Sequence, residues 1–144
     1  MPRPVIRFRI DFSAQSNVGP GKIGLLEAIS ATGSLSQAAR AMGMSYRRAW
    51  LLLESLNASF QEPPTVATRG GKGGGGVQLT GFGDELVRSY RALEAQIVRE
   101  SERHLRNVTA KVRTSQPDRP ASTRRALART VTRNKRSRRQ SGNP

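Results

Sequence analysis

The sequence predicts a mainly α-helical chain carrying one small β-hairpin, and three observations lead there. Apolar residues recur at helical spacing in successive stretches between residues 22 and 105. A glycine-rich run, Arg69-Gly70-Gly71-Lys72-Gly73-Gly74-Gly75-Gly76, separates two short β-prone segments, Thr65-Val66-Ala67-Thr68 and Val77-Gln78-Leu79-Thr80. Charge is uneven: the formal net charge is +15 over 144 residues, with 14 Lys+Arg against 9 Asp+Glu in residues 1–106 and 11 against 1 in residues 107–144.

The elements follow in order. Val5-Ile6-Arg7-Phe8-Arg9-Ile10-Asp11-Phe12 alternates, with Ile6, Phe8, Ile10 and Phe12 on one side, which is the pattern of a half-buried strand. Ser16 to Gly21 is turn chemistry. A first helix begins at Lys22, carries Ile23, Leu26 and Ile29 on one side, and stops at Gly33. A second, of about two turns, is capped by Ser34 or Ser36 and ends at Gly43. Ser45 caps a third helix that runs to about Phe60, with Ala49, Leu53 and Leu56 facing inward. Pro63-Pro64 forbids its continuation.

After the hairpin, a fourth helix starts at Thr80-Gly81-Phe82-Gly83-Asp84. Leu86, Tyr90, Leu93 and Ile97 recur along it at spacings of 4, 3 and 4, the seam of a helix that pairs with another. No aromatic residue and no sustained apolar period follow Asn107, so the basic tail is expected to be disordered in isolation. Three regions result: residues 1–80, the helices and hairpin with their N-terminal strand; 81–106, a long helix that pairs with another, a dimerisation helix; and 107–144, the basic tail.

Composition narrows the function. A strongly basic balance makes nucleic acid the leading partner, ahead of an anionic membrane surface. Apolar clusters fall short of the roughly 20 residues of a spanning helix, and the N-terminus has no signal-peptide pattern, so a cytoplasmic, nucleoid-associated location is expected and no membrane. There is no cysteine, hence no disulfide framework and no thiolate metal site. The one histidine, His104, has no serine and carboxylate arranged around it, and the acidic residues form no acid/base pair or metal cluster. No enzyme is expected.

Two helices, a tight glycine turn between the second and third, and a hairpin directly afterwards make a winged helix-turn-helix. Its recognition helix opens with Ser45, Tyr46, Arg47 and Arg48, where a helix end meets bases and phosphates. A solvated helix start is the plain alternative for the arginine pair, but its place after a two-turn helix and a glycine turn favours DNA. Leu51 and Leu52 sit awkwardly on a groove-facing helix unless the hairpin or a partner chain covers one of them, and Trp50 is expected to be partly buried. The glycine run satisfies G-x-G-x-x-G trivially; a strand follows it where a dinucleotide site needs a helix, and Val66 and Gly73 break the P-loop pattern. It is better read as a wing tip whose Arg69 and Lys72 meet the DNA backbone. The expected DNA contacts are Ser36, Gln37, Ser45, Tyr46, Arg47, Arg48, Arg69, Gly71, Lys72 and Gly73.

Gly33-Ser34-Leu35-Ser36-Gln37-Ala38-Ala39, Met44-Ser45-Tyr46-Arg47-Arg48-Ala49-Trp50, and Gly70 to Gly76 with Leu79-Thr80 and Gly83 resemble the N-terminal DNA-binding domain of ModE, the molybdate-responsive transcriptional regulators. The architecture is also similar to the LysR-type winged helix. The resemblance covers roughly residues 5–105. It implies a homodimer paired through the fourth helix, with recognition helices in successive major grooves of double-stranded DNA. Regulators of that family continue into oxyanion-binding domains, whereas this chain continues into a basic tail. Molybdate sensing is therefore not expected, nor any cofactor. The rival reading is an architectural protein that coats DNA with little sequence preference.

Overall fold

Nine elements succeed one another along the residues the computed structural model describes, 3–69 and 75–114. They are β1 (Ile10–Asp11), β2 (Asn17–Val18), α1 (Pro20–Thr32), α2 (Leu35–Ala41), α3 (Tyr46–Ser59), β3 (Thr65–Thr68), β4 (Gly76–Leu79), α4 (Gly81–His104) and α5 (Arg106–Thr109). The mainly helical fold class is borne out. Two small antiparallel sheets replace the single hairpin, because β1 pairs with β2 through Ile10–Val18 and Asp11–Asn17. Arg3–Asn107 form one compact unit, so α4 belongs with the helices and hairpin before it. The wing tip, with Gly71, Lys72 and Gly73, and the tail from residue 115 lie outside the described residues.

The N-terminal alternation sorts sides correctly without making a long strand. Ile6, Phe8 and Ile10 are half-buried and Arg7 and Arg9 exposed. Only Ile10 and Asp11 find a ladder partner; Phe8 instead stacks on Tyr90, with ring centroids 4.5 Å apart, and its carbonyl accepts the Tyr90 hydroxyl at 2.8 Å. Phe12 departs from the expected inward face and is 56% exposed, since the chain turns there through Phe12 N–H to Ser16 O at 2.8 Å. Val18, placed in a turn by the sequence, is wholly buried.

Helix ends are set by local chemistry. Pro20 stands in the first turn of α1, where its fixed φ favours the helix and its missing N–H costs nothing, so α1 starts two residues before Lys22. Gly33 closes α1 in the left-handed region at φ 68°, its N–H donating to Ile29 O at 2.8 Å. Ser34, not Ser36, caps α2, accepting Gln37 N–H at 3.3 Å. Thr80 caps α4, accepting Gly83 N–H at 3.1 Å.

Two apolar clusters hold these elements together. Leu25, Ile29, Ala38, Ala39, Ala49 and Val77 join α1, α2, α3 and the hairpin. Val18, Ile23, Leu26, Leu56 and Tyr90 join α1, α3, α4 and the N-terminal ribbon. The hairpin is tied in by backbone: Val77 N–H donates to Gly33 O at 3.1 Å, and Thr80 N–H donates to Pro64 O at 2.9 Å. Gly83 packs so closely on that proline that an added Cβ falls 2.1 Å from Pro64 O.

Two glycine substitutions separate strain from collision. Gly33→Ala meets no atom within 4 Å and is expected to cost about 1–2 kcal/mol through its left-handed backbone alone. Gly83→Ala collides with Pro64 O and is expected to cost about 1–3 kcal/mol by overpacking. Urea unfolding of both variants checks this; a neutral Gly83→Ala contradicts the packing described.

Candidate nucleic-acid interface

α2 and α3 can approach closely because Ala38, Ala39 and Ala49 fill the contact with small side chains, all buried. The turn between them passes through Gly43 at φ 65°, and Met44 N–H donates to Ala39 O at 3.0 Å. Ser45 then caps α3, its Oγ accepting Arg48 N–H at 3.2 Å. That cap uses one free N–H of the helix end and sets the direction of the first turn.

The first turn is open. Ser45, Tyr46, Arg47 and Arg48 are all exposed, as are Ser36 and Gln37 at the start of α2. α3 has no acidic residue in its first turn, so the helix dipole and the two guanidinium groups act in one direction, toward an anion. Arg69, at the end of β3, is exposed as well. Arg40 is an exposed cation on the last turn of α2 that sequence reasoning missed; a lone arginine among alanines carries no pattern.

The back of α3 is anchored by polar contacts. Asn57 Oδ1 accepts from Thr65 N–H at 3.3 Å and Thr65 Oγ1 at 3.0 Å, joining α3 to β3. Buried Lys22 donates from Nζ to Asn17 O at 2.9 Å, Asn17 Oδ1 at 3.3 Å and Ser55 Oγ at 3.1 Å, joining α3 to the N-terminal ribbon. Burial first, and Arg9 second, hold the Lys22 amine below its ordinary 10.5. The folded state thus disfavours its charge, a cost present in full at neutral pH that fades as pH rises toward 10.5. Between α3 and the hairpin lies a recess of about 270 Å³ bordered by Tyr46, Leu53, Asn57 and Thr65.

Trp50 is 41% exposed, close to the partial burial expected, and Leu51 is 51% exposed; Leu52 is half-buried against the first cluster. The α4 seam divides. Tyr90, expected to face a partner helix, is only 2% exposed because Phe8 stacks on it and accepts its hydroxyl. Leu86 packs on the same cluster. Leu93 is 39% exposed, and Ile97 and Val98 are half-buried without joining either cluster. His104, exposed, lies 3.5 Å from Glu100.

Among the described residues no group of three or more His, Cys, Asp or Glu can hold a metal ion. No helix there is long and apolar enough to cross a membrane.

Helix-turn-helix followed by an antiparallel hairpin makes this a winged-helix protein. A solved structure of the multiple antibiotic resistance repressor MarR matches with a TM-score of 0.52 at 15% identity, over 79% of this chain and 76% of that one, which supports the fold. No protein-family model matches the chain. The sequence relatives are more particular. The molybdenum transport protein ModE of Azotobacter vinelandii is 39% identical over 94 residues, 65% of this chain and 35% of that protein. The DNA-binding transcriptional dual regulator ModE of Escherichia coli K12 is 41% identical over 78 residues, 54% of this chain and 29% of that protein. The chain thus spans about a third of the length of these relatives, and the resemblance to the N-terminal DNA-binding region of ModE is borne out.

The caps make a sharp prediction. Ser45→Ala is expected to lose about 1 kcal/mol of stability, whereas Ser36→Ala, which removes no cap, changes it by less than about 0.5 kcal/mol. Thermal unfolding of the two variants side by side measures the difference.

Proposed function

We propose that this chain is a sequence-specific, DNA-binding transcriptional regulator of ModE-like type that acts as a homodimer. The observation that carries the reading is the open first turn of α3, where Tyr46, Arg47 and Arg48 stand exposed on a capped helix of a helix-turn-helix. Arginine there reaches guanine O6 and N7 in the major groove, and the capped helix end favours phosphate. Ser36 and Gln37 meet the flanking backbone, and Arg69 leads the wing along it with Gly71, Lys72 and Gly73. The cations of residues 107–144 add salt-dependent, sequence-independent affinity by counterion release. No cofactor is assigned.

The Escherichia coli relative is a DNA-binding transcriptional dual regulator, which supports regulation as the outcome of binding. Dimerisation is supported by the exposed Leu93 and the half-buried Ile97 on α4, which neither apolar cluster of the described residues covers. The competing reading, an architectural protein, draws on the basic tail; it predicts no preference among DNA sequences.

Selection of bound sites from a random DNA pool separates the two, because a regulator returns a two-fold symmetric site and an architectural protein returns none. On the selected site, Arg48→Ala is expected to weaken binding by about 1–3 kcal/mol while barely affecting random DNA. Equal losses on both make Arg48 a phosphate contact only. Leu93→Glu with Ile97→Glu is expected to give a folded monomer by light scattering, with lowered affinity for the two-half-site operator; an intact dimer removes α4 from the interface.

A further inference from the structure

α3 turns Ala49 and Leu56 into the core, so its opposite side is outermost. At about 100° per residue that side is a ridge formed by Arg47, Leu51, Glu54 and Ala58, with Trp50 beside it. All five are exposed. Leu51 is more than half exposed and belongs to neither apolar cluster, whereas its neighbours Leu52 and Leu53 pack on the first. The apolar run is therefore not one core stripe drawn too wide. Leu51 points away from the core on the face that the helix-turn-helix presents.

The composition of the ridge limits what can cover Leu51. Arg47, one turn before it, attracts an anionic surface. Glu54, about one turn after it, is repelled by phosphates but can accept from the cytosine N4 amino group. A cation, an apolar side chain and a carboxylate in line suit a row of base edges better than a sugar-phosphate backbone. Among the bases only thymine offers an apolar group in the major groove, its C5-methyl.

We propose that Leu51, beside Trp50, is a specificity-determining residue that contacts a thymine C5-methyl group in each operator half-site. The inference rests on the DNA-binding function proposed above. Arg47 and Leu51 are four residues apart, about 6 Å along the helix axis. A base step advances about 3.4 Å, so the methyl lies on the order of two steps from the position Arg47 reaches.

The test uses the full chain and the operator selected from the random pool. Each thymine is replaced in turn by deoxyuridine, which removes only the methyl group, and affinities are measured by fluorescence anisotropy for the natural chain, Leu51→Ala and Leu51→Met. The expected result is one thymine per half-site whose replacement weakens the natural chain about fourfold, the equivalent of one buried methyl. That sensitivity disappears in Leu51→Ala and persists in Leu51→Met. Equal sensitivity in Leu51→Ala, or no sensitive thymine in a bound and selected site, overturns the assignment. So does a Leu51→Ala variant whose oligomeric state changes while its methyl dependence does not. Failure of the pool to return any site overturns the DNA-reading function itself, an outcome distinct from the others.

Discussion

The arrangement of helices and hairpin hangs on the backbone of Gly33. Its N–H closes α1 on Ile29, its left-handed φ of 68° turns the chain, and its carbonyl receives Val77 N–H from β4. The next residue, Ser34, caps α2. Three elements are thus joined within two residues, two of them by the backbone groups of Gly33 and the third by the Ser34 hydroxyl, and the turn itself calls for a residue that takes a positive φ freely. The helix-turn-helix cannot shift against the hairpin without breaking a backbone hydrogen bond at the edge of the first apolar cluster.

Behind the exposed turn of α3, stability is given up in one place to hold position in another. Lys22 is buried with no carboxylate partner among the described residues, and burial disfavours its charge, yet its three polar contacts bind the ribbon, α1 and α3 together. Breaking a satisfied buried network costs more than never forming one. Asn57 does the same between α3 and β3 with neutral groups. The front of α3 carries charge facing outward, and the back carries the polar anchors that keep this front still.

Legibility in the sequence followed the range of the forces involved. Caps and stops act over three or four residues, so Ser45 as a cap and Gly33 and Gly43 as stops could be read and stand where expected, while the cap by Thr80 emerged from the structure. The start of α1 was misplaced because Gly19-Pro20-Gly21 looks like a turn until Pro20 is seen in a first helical turn. Val18 and Phe12 exchanged expected surroundings because a short ribbon, not a long strand, formed there. The seam on α4 is apolar, as its spacing says, but its residues divide between two surroundings. A heptad-like pattern does not say whether the partner is another chain or the chain's own N-terminus, and Phe8 claims Tyr90. Of the candidate interface, the first turn of α3 was legible, whereas Arg40 and the outward set of Leu51 required the structure.

The packing of α4 reaches beyond the core it completes. Phe8 stacks on Tyr90, Leu86 and Val87 sit on the second cluster, and the Arg91 guanidinium bridges Glu27 of α1 and Glu94 of α4 itself. These contacts hold the first turns of α4 at one angle to α1, and the rest of the rod follows. In the proposed dimer that rod is a caliper arm. A small rotation at Tyr90 swings Leu93 and Ile97, and with them the separation of the two reading helices, which must match about 34 Å for one turn of duplex. In that dimer the distance between operator half-sites is then gauged by a stacked pair of rings and an ion-pair fork at the root of the rod.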